Sequence, residues 1–322
     1  MSGNVVKIGT ASCAPGSVVR GAVEVATGPG GHPMGFPVMI VNGALPGPRL
    51  CVAAAIHGDE YEGMEAVRRT MAAADPKTLR GALIGLPCVN VPAFEAAARS
   101  SGIDHLNLNR IFPGDKDSTL SMKWAARFVS EVIPNIDALI DLHSGGGFGT
   151  IVPLTIVQAG FEELATGIGK AAGNDVIWKG GKWGGTARIA TLQAGKPAIT
   201  VEIGGGGGCP ESTVAAHVRV IRNVMRHLHL IEGTPETPQE YRVVKGTFSY
   251  SASGGFFRKL AEPGRPVKRG DLLGAVINHY GDVLEEFKAD QDGLVLWIRT
   301  RCTIFPGEET VIFGEILERV RP

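Results

Sequence analysis

The chain has 322 residues, with 32 Lys and Arg balanced by 32 Asp and Glu, for a formal net charge of zero. That length buries at least one full core and suggests about two domains. Without a basic block, the sequence lacks the clustered positive face that nucleic-acid binding needs. The longest apolar runs, such as LCVAAAI, fall far short of the ~20 residues that cross a bilayer, so no membrane partner is expected. MSGNVVKIGTAS at the N-terminus has no apolar signal core, which predicts a cytoplasmic chain. Cys13, Cys51, Cys88, Cys209 and Cys302 are scattered and form no C-x-x-C pair, which argues against a disulfide framework or a thiolate zinc site. The 45 glycines are about twice the usual share. They cluster at strand exits, as loops near a ligand do. Homo-oligomer formation is left open.

In chain order, residues 1–40 read as a β-rich segment. RLCVAAAI (49–56) then predicts a buried strand, followed by the amphipathic YEGMEAVRRTMAAA. GALIGLPCVNV (81–91) leads through a loop into TLSMKWAARFVSEVI, whose apolar spacing is helical. IDALIDLH (136–143) and KPAITVEI (196–203) are short and apolar on both faces. The second precedes the helical pattern PESTVAAHVRVIRNVMRHLHLI, with Pro210 suited to its first turn. This alternation predicts an α/β fold with a mixed, largely parallel sheet flanked by helices.

EGTPETPQEY (232–241) reads as a linker. It divides a catalytic α/β domain, 1–235, from a smaller C-terminal β domain, 236–322. In the latter, short runs alternate with Pro-Gly, Arg-Gly and Gln-Asp-Gly turns. EPGRPVKRGDLLG there resembles barrel-sandwich carrier domains, but NHYGD occupies the turn where a modified lysine belongs, so a substrate-side or packing role is the better reading.

Chemistry concentrates at the carboxyl ends of three predicted strands. His57 and Glu60 follow the first, His143 ends the second, and Glu202 lies one residue from the end of the third. Ligands collect at such ends in open α/β sheets. Two imidazoles and a carboxylate suit one catalytic Zn2+ per chain, leaving a coordination position for water, although similar ligands also accept cobalt or manganese. Glu202 is then the candidate base. Asp141 points to the same strand face as His143 and either holds the imidazole's other nitrogen or pairs with a backbone amide. Asp59 and Glu62 are candidates to face the pocket if the substrate side chain is cationic. The glycine run 204–208 has neither the P-loop nor the dinucleotide spacing. It suggests close backbone approach to a substrate. His217, His227 and His229 are expected on a solvated helix face, His105 belongs to a polar loop, and Tyr280 lies on a C-terminal turn.

HGDE (57–60), NLNRIFPG (107–114), DLHSGG (141–146) and TVEIGG (200–205) together resemble the succinylglutamate desuccinylase/aspartoacylase family, zinc amidohydrolases related to the M14 carboxypeptidases. The likeness runs in order from about residue 40 to 320, and the subtype with HGDEYEG resembles bacterial N-acetyl-diaminobutanoate deacetylases. The resemblance implies a zinc-carboxypeptidase-like fold and a deacylase acting on a small N-acylated amino acid. It implies His57, Glu60 and His143 as zinc ligands, Glu202 as general acid/base, and Asn109 and Arg110 as holders of the amino-acid portion. Arg99 is its candidate for polarising the scissile carbonyl and Arg188 for gripping a substrate carboxylate, both at altered spacing. The alternatives are a metallocarboxypeptidase acting on short peptides and a non-catalytic metal or small-molecule binding protein.

Overall fold

The computed structural model describes residues 4–181 and 184–322. A two-stranded ribbon, β1 (Val6–Ile8) and β2 (Ala11–Cys13), precedes β3 (Ser17–Thr27), β4 (Pro33–Asn42) and β5 (Leu45–Ala54). Helices and strands then alternate: α1 (Glu62–Ala73), β6 (Arg80–Leu86), α2 (Val91–Glu95), α3 (Leu120–Glu131), β7 (Ala138–His143), β8 (Gly149–Gln158) and α4 (Glu162–Ala171). After these come β9 (Val176–Gly180), α5 (Ala187–Gln193), β10 (Ala198–Gly205) and α6 (Glu211–His227). Beyond 240 the elements are strands: β11 (Tyr241–Tyr250), β12 (Gly255–Lys259), β13 (Pro266–Val267), β14 (Leu272–Ile277), β15 (Val283–Lys288), β16 (Gly293–Arg299), β17 (Thr303–Ile304) and β18 (Glu309–Val320). Among the described residues no helix is long and apolar enough to cross a membrane.

The centre of the main sheet is parallel, in the order β10–β7–β5–β6. Its strands are apolar on both faces because both faces are covered. In β5, Cys51 and Ala53 join one core with Trp124 of α3 and Leu192 of α5. Val52 and Ala54 point the other way, into a core with Met71 of α1 and Val220 of α6. The period of two within a continuous apolar run therefore feeds two cores at once. Pro210 stands just outside the first turn of α6, as its N-cap.

Away from that centre the expectation of a largely parallel sheet fails. β4 pairs antiparallel with β6, β3 with β4, and β8 with β10. Only β3 and β4 are joined by a short reversal; β6 and β10 come to lie beside β4 and β8 after intervening strands and helices, running the opposite way. The sheet is mixed, and its parallel part is the part that carries the candidate site.

The C-terminal strands divide in two. β15, β14, β12 and β17 form a separate four-stranded sheet. β11, β16 and β18 instead join the main sheet, β11 lying parallel to β9 and antiparallel to β18. Because β16 also pairs with β8, the strands β8–β9–β11–β18–β16 close into a ring. Leu154, Val176, Val244, Leu296 and Ile312 pack together there. Closure removes sheet edges and makes a wall beside the strand ends of the parallel centre.

Candidate active site

The chain leaves β5 through Ala55, a non-glycine residue held at φ +52°. The carbonyls of Ala54 and Ala55 accept the amides of Val89 and Asn90, both at 2.9 Å, and Asn90 Nδ2 donates to Ile56 O at 3.0 Å. Those bonds offset a conformation that costs roughly 1–2 kcal/mol. Gly58 comes next, where a Cβ would stand 2.0 Å from the Ala93 carbonyl carbon of α2. No side chain fits there, so Gly58→Ala is expected to displace the His57–Glu60 turn. Overpacking of this kind costs about 1–3 kcal/mol or more. A lowered melting temperature together with reduced metal content checks it, and an unchanged metal content would show that the turn tolerates the shift.

Three buried side chains meet beyond this turn. His57 Nδ1 lies 2.8 Å from Glu60 Oε1, His143 Nδ1 lies 2.7 Å from Glu60 Oε2, and the two Nδ1 atoms are 3.1 Å apart. Donors on a four-coordinate zinc with bonds of about 2.0–2.1 Å stand about 3.3 Å from one another. Each ring also has an oxygen behind it. Asn107 Oδ1 is 3.2 Å from Nε2 of His57. Asp141 Oδ2 is 3.1 Å from Nε2 of His143, at ion-pair distance but short of good hydrogen-bond alignment. Such backing favours the tautomer that leaves Nδ1 free to bind a metal. Donor chemistry, convergence and support all fit a divalent cation.

The charges around this group differ sharply. Burial, aided by Arg99, pushes the His57 imidazole down to about 4. Burial opposes charge on His143 too, but Asp141 and Glu60 override it and hold that imidazole well above its ordinary value. For Glu60, burial is likewise outweighed, here by the two imidazoles, and its carboxyl lies well below the usual range. A metal taking Nδ1 of His143 must therefore displace a proton. Titration calorimetry at pH 7 in buffers of different ionisation enthalpy is expected to show net proton release on metal binding. Affinity should weaken by roughly tenfold or more for each pH unit lowered. A buffer-independent enthalpy would count against a protonated His143.

Glu202 is the register partner of His143 in the β10–β7 ladder, so both side chains emerge on one face. Burial pushes its carboxyl up to about 8, with Glu60 and Asp141 adding to the rise and His143 and Arg99 opposing it. The carboxylate opens onto a cavity of about 390 Å³ that His57, Glu60, Arg99, Asn109, Arg110 and Arg188 also line. His143 stands behind this lining, reaching it through Glu60. Arg99 Nη1 is 3.2 Å from His57 Nδ1 and 3.3 Å from Glu60 Oε1. Asn109 Nδ2 lies 3.2 Å from His143 Nε2, and its Oδ1 accepts the Ala187 amide at 3.2 Å. Arg110 Nη1 donates to Asn109 O at 2.8 Å. Arg188 is buried and donates to Gln158 Oε1 at 3.1 Å, while its Nε has no partner. Burial draws that guanidinium down to about 10 against the pull of Asp141 and Glu202.

The far wall comes from the closed ring of strands. Trp178, Phe248, Tyr250, Trp297 and Arg299 line it. Nothing in the local sequence marks these residues, because β16 reaches the site only by pairing with β8. Asn107 was equally invisible as a partner of His57, although NLNR places it beside Asn109. Tyr280, 92% exposed, lies outside the cavity. His227 and His229 are exposed as expected, but His217 is not. It is fully buried on the inner face of α6, with Nε2 3.3 Å from Ile203 O, because the helix sets it against β10. Asp59 and Glu62 also do not face the cavity. Asp59 Oδ2 accepts the Gly147 amide at 2.8 Å and Glu62 Oε1 accepts that of Gly205 at 2.7 Å.

Residues 46–228, which carry all eight of these candidate residues, match the succinylglutamate desuccinylase/aspartoacylase catalytic domain. The chain belongs to this family. It is 30% identical over 296 residues to the N-alpha-acetyl-L-2,4-diaminobutyric acid deacetylase of Halomonas elongata, covering 88% of this chain and 86% of the relative. Among solved structures, the product-bound ectoine utilization protein EutE (DoeB) of Ruegeria pomeroyi superposes with a TM-score of 0.86 at 28% identity, over 92% of this chain and 95% of that one. A succinylglutamate desuccinylase from Silicibacter sp. TM1040 gives the same TM-score at 26% identity, over 98% and 100%. The family match ends at the close of α6, while the two structural likenesses take in 92% and 98% of the chain and so extend into the C-terminal strands. The cavity wall that those strands supply is therefore part of a shared fold.

Proposed function

We propose that this family member is a zinc-dependent deacylase that hydrolyses the amide bond of a small N-acylated amino acid in the cytoplasm. The observation that carries the reading is the convergence of His57 Nδ1, Glu60 and His143 Nδ1 beside a Glu202 carboxylate that shares one cavity with His57 and Glu60. These three residues would hold one zinc ion. When bound, the metal supplies Lewis acidity and brings the pKa of a water toward ~7. Glu202 takes the proton from the attacking water and delivers it to the departing nitrogen as the C–O bond forms and the C–N bond breaks. Burial holds the Glu202 carboxyl near 8, and a dication held by His57, Glu60 and His143 would bring it toward the range where it is a competent base. The Arg99 guanidinium, beside the ligand group, stabilises the developing oxyanion. Asn109, Arg110 and Arg188 orient the amino-acid portion, a task suited to planar forks of donors.

A cavity of about 390 Å³ walled by Trp178, Phe248 and Trp297 suits a small molecule better than a peptide end. The Halomonas relative deacetylates an acetylated diaminobutyric acid, and N-acetyl-diamino acids head the list of substrates. Mass-spectrometric profiling of zinc-loaded protein against N-acetyl and N-succinyl amino acids and short peptides tests the assignment. Loss of one acyl group from a member of the first two sets is expected. Release of C-terminal residues from peptides would favour the carboxypeptidase reading, and full zinc loading without any hydrolysis would favour a binding protein.

A further inference from the structure

The HGDEYEG stretch carries more carboxylates than the ligand group uses. Asp59 and Glu62, both buried, reach neither the cavity nor the ligand atoms. Each instead accepts a backbone amide from a glycine-rich stretch at or just beyond the end of another strand of the site. Asp59 holds Gly147, four residues after His143, and Glu62 holds Gly205, three residues after Glu202. The two stretches are also joined to each other. Gly145 N donates to Gly204 O at 3.2 Å, and Gly206 N to Gly146 O at 2.8 Å. Gly204 has φ +89°, and a Cβ there would lie 2.6 Å from Glu62 Oε1. Glycine at that position lets the carboxylate reach the strand end.

We propose that Glu62 is a positioning residue for Glu202, setting the distance between the base and the ligand group, with Asp59 doing the same for the loop after His143. One segment then alternates two tasks: His57 and Glu60 face the centre, while Asp59 and Glu62 tie down the strands that supply the remaining groups. The same turn that places two ligands thus places the base. Loss of about an ångström of placement is enough to cost roughly a hundredfold in rate.

The inference rests on the deacylase reading, and its test separates the two. Glu62→Gln keeps an oxygen acceptor at full reach and loses the charge. Glu62→Asp keeps the charge and withdraws the acceptor by one methylene. Positioning predicts that Glu62→Gln stays within about threefold of wild-type kcat, while Glu62→Asp falls about 10- to 100-fold. KM and zinc stoichiometry should be unchanged in both. Combined with Glu202→Gln, Glu62→Asp should lower the residual rate no further, since the group it positions is gone. The inference is overturned if the aspartate variant matches wild type, if the glutamine variant is the worse of the two, or if the losses multiply in the double variant. Should Glu202→Gln alone keep full activity, the assignment of the base fails instead, whatever Glu62 does.

Discussion

Glu202→Gln is expected to lose about 10²- to 10⁴-fold in kcat while binding metal normally. The carboxylate is not one of the three grouped ligand residues, so its amide leaves the ligand atoms in place. On the proposed reading the substitution removes the group that would carry a proton from water to the leaving nitrogen, a contribution of this size in enzymes generally and worth about 3–5 kcal/mol of barrier. Steady-state kinetics together with metal analysis of the same preparation check it. Near-wild-type turnover in a metal-replete variant would remove Glu202 from the mechanism. A second consequence concerns stability. The folded metal-free protein holds this carboxyl at about 8, above its ordinary 4.5, so the native state retains a proton that the unfolded chain releases. Its penalty is absent below about pH 4.5 and grows as pH rises toward 8. Metal-free Glu202→Gln should therefore melt above wild type at pH 7, and the gap should close near pH 4.

His143→Ala should remove the metal and the activity together. Its Nδ1 contacts both His57 Nδ1 and Glu60 Oε2, so its loss leaves two ligands where three are needed. Zinc content is expected to drop from about one per chain toward zero, with hydrolysis falling more than about a thousandfold. Asp141→Asn is the graded companion. It weakens only the oxygen behind Nε2, and about 10- to 100-fold in metal affinity is expected, read by competition with a chromogenic chelator. Full zinc occupancy in His143→Ala would show that the metal, if it binds, binds elsewhere.

Much of the candidate site was readable along the chain because its signals are local. An apolar run that ends in His57 and Glu60 says where β5 stops and which groups emerge at its carboxyl end. ALIDLH and AITVEI say the same for His143 and Glu202. Two strands buried on both faces require cover on both sides, so the α/β layering followed directly. The same reasoning misjudged the sheet as largely parallel, since apolar runs report burial and not the direction of the neighbouring strand.

The partners of the remaining charges lay beyond that kind of reading. Asp59 meets an amide 88 residues away, Glu62 one 143 residues away, and the Trp297 indole donates to Gly145 O across 152 residues. Their side-chain types permit such bonds but do not select them, because an acceptor's own neighbourhood holds no record of which amide will arrive. His217 shows the same limit: helical spacing puts it on a face, and only docking of α6 on β10 makes that face interior. Residue order thus specified which groups stand at three strand ends, through hydrophobic burial and turn chemistry. Sheet register and the pairing of β16 with β8 decided that those ends share one walled cavity, since backbone hydrogen bonding between distant strands sets the separations on which the chemistry depends.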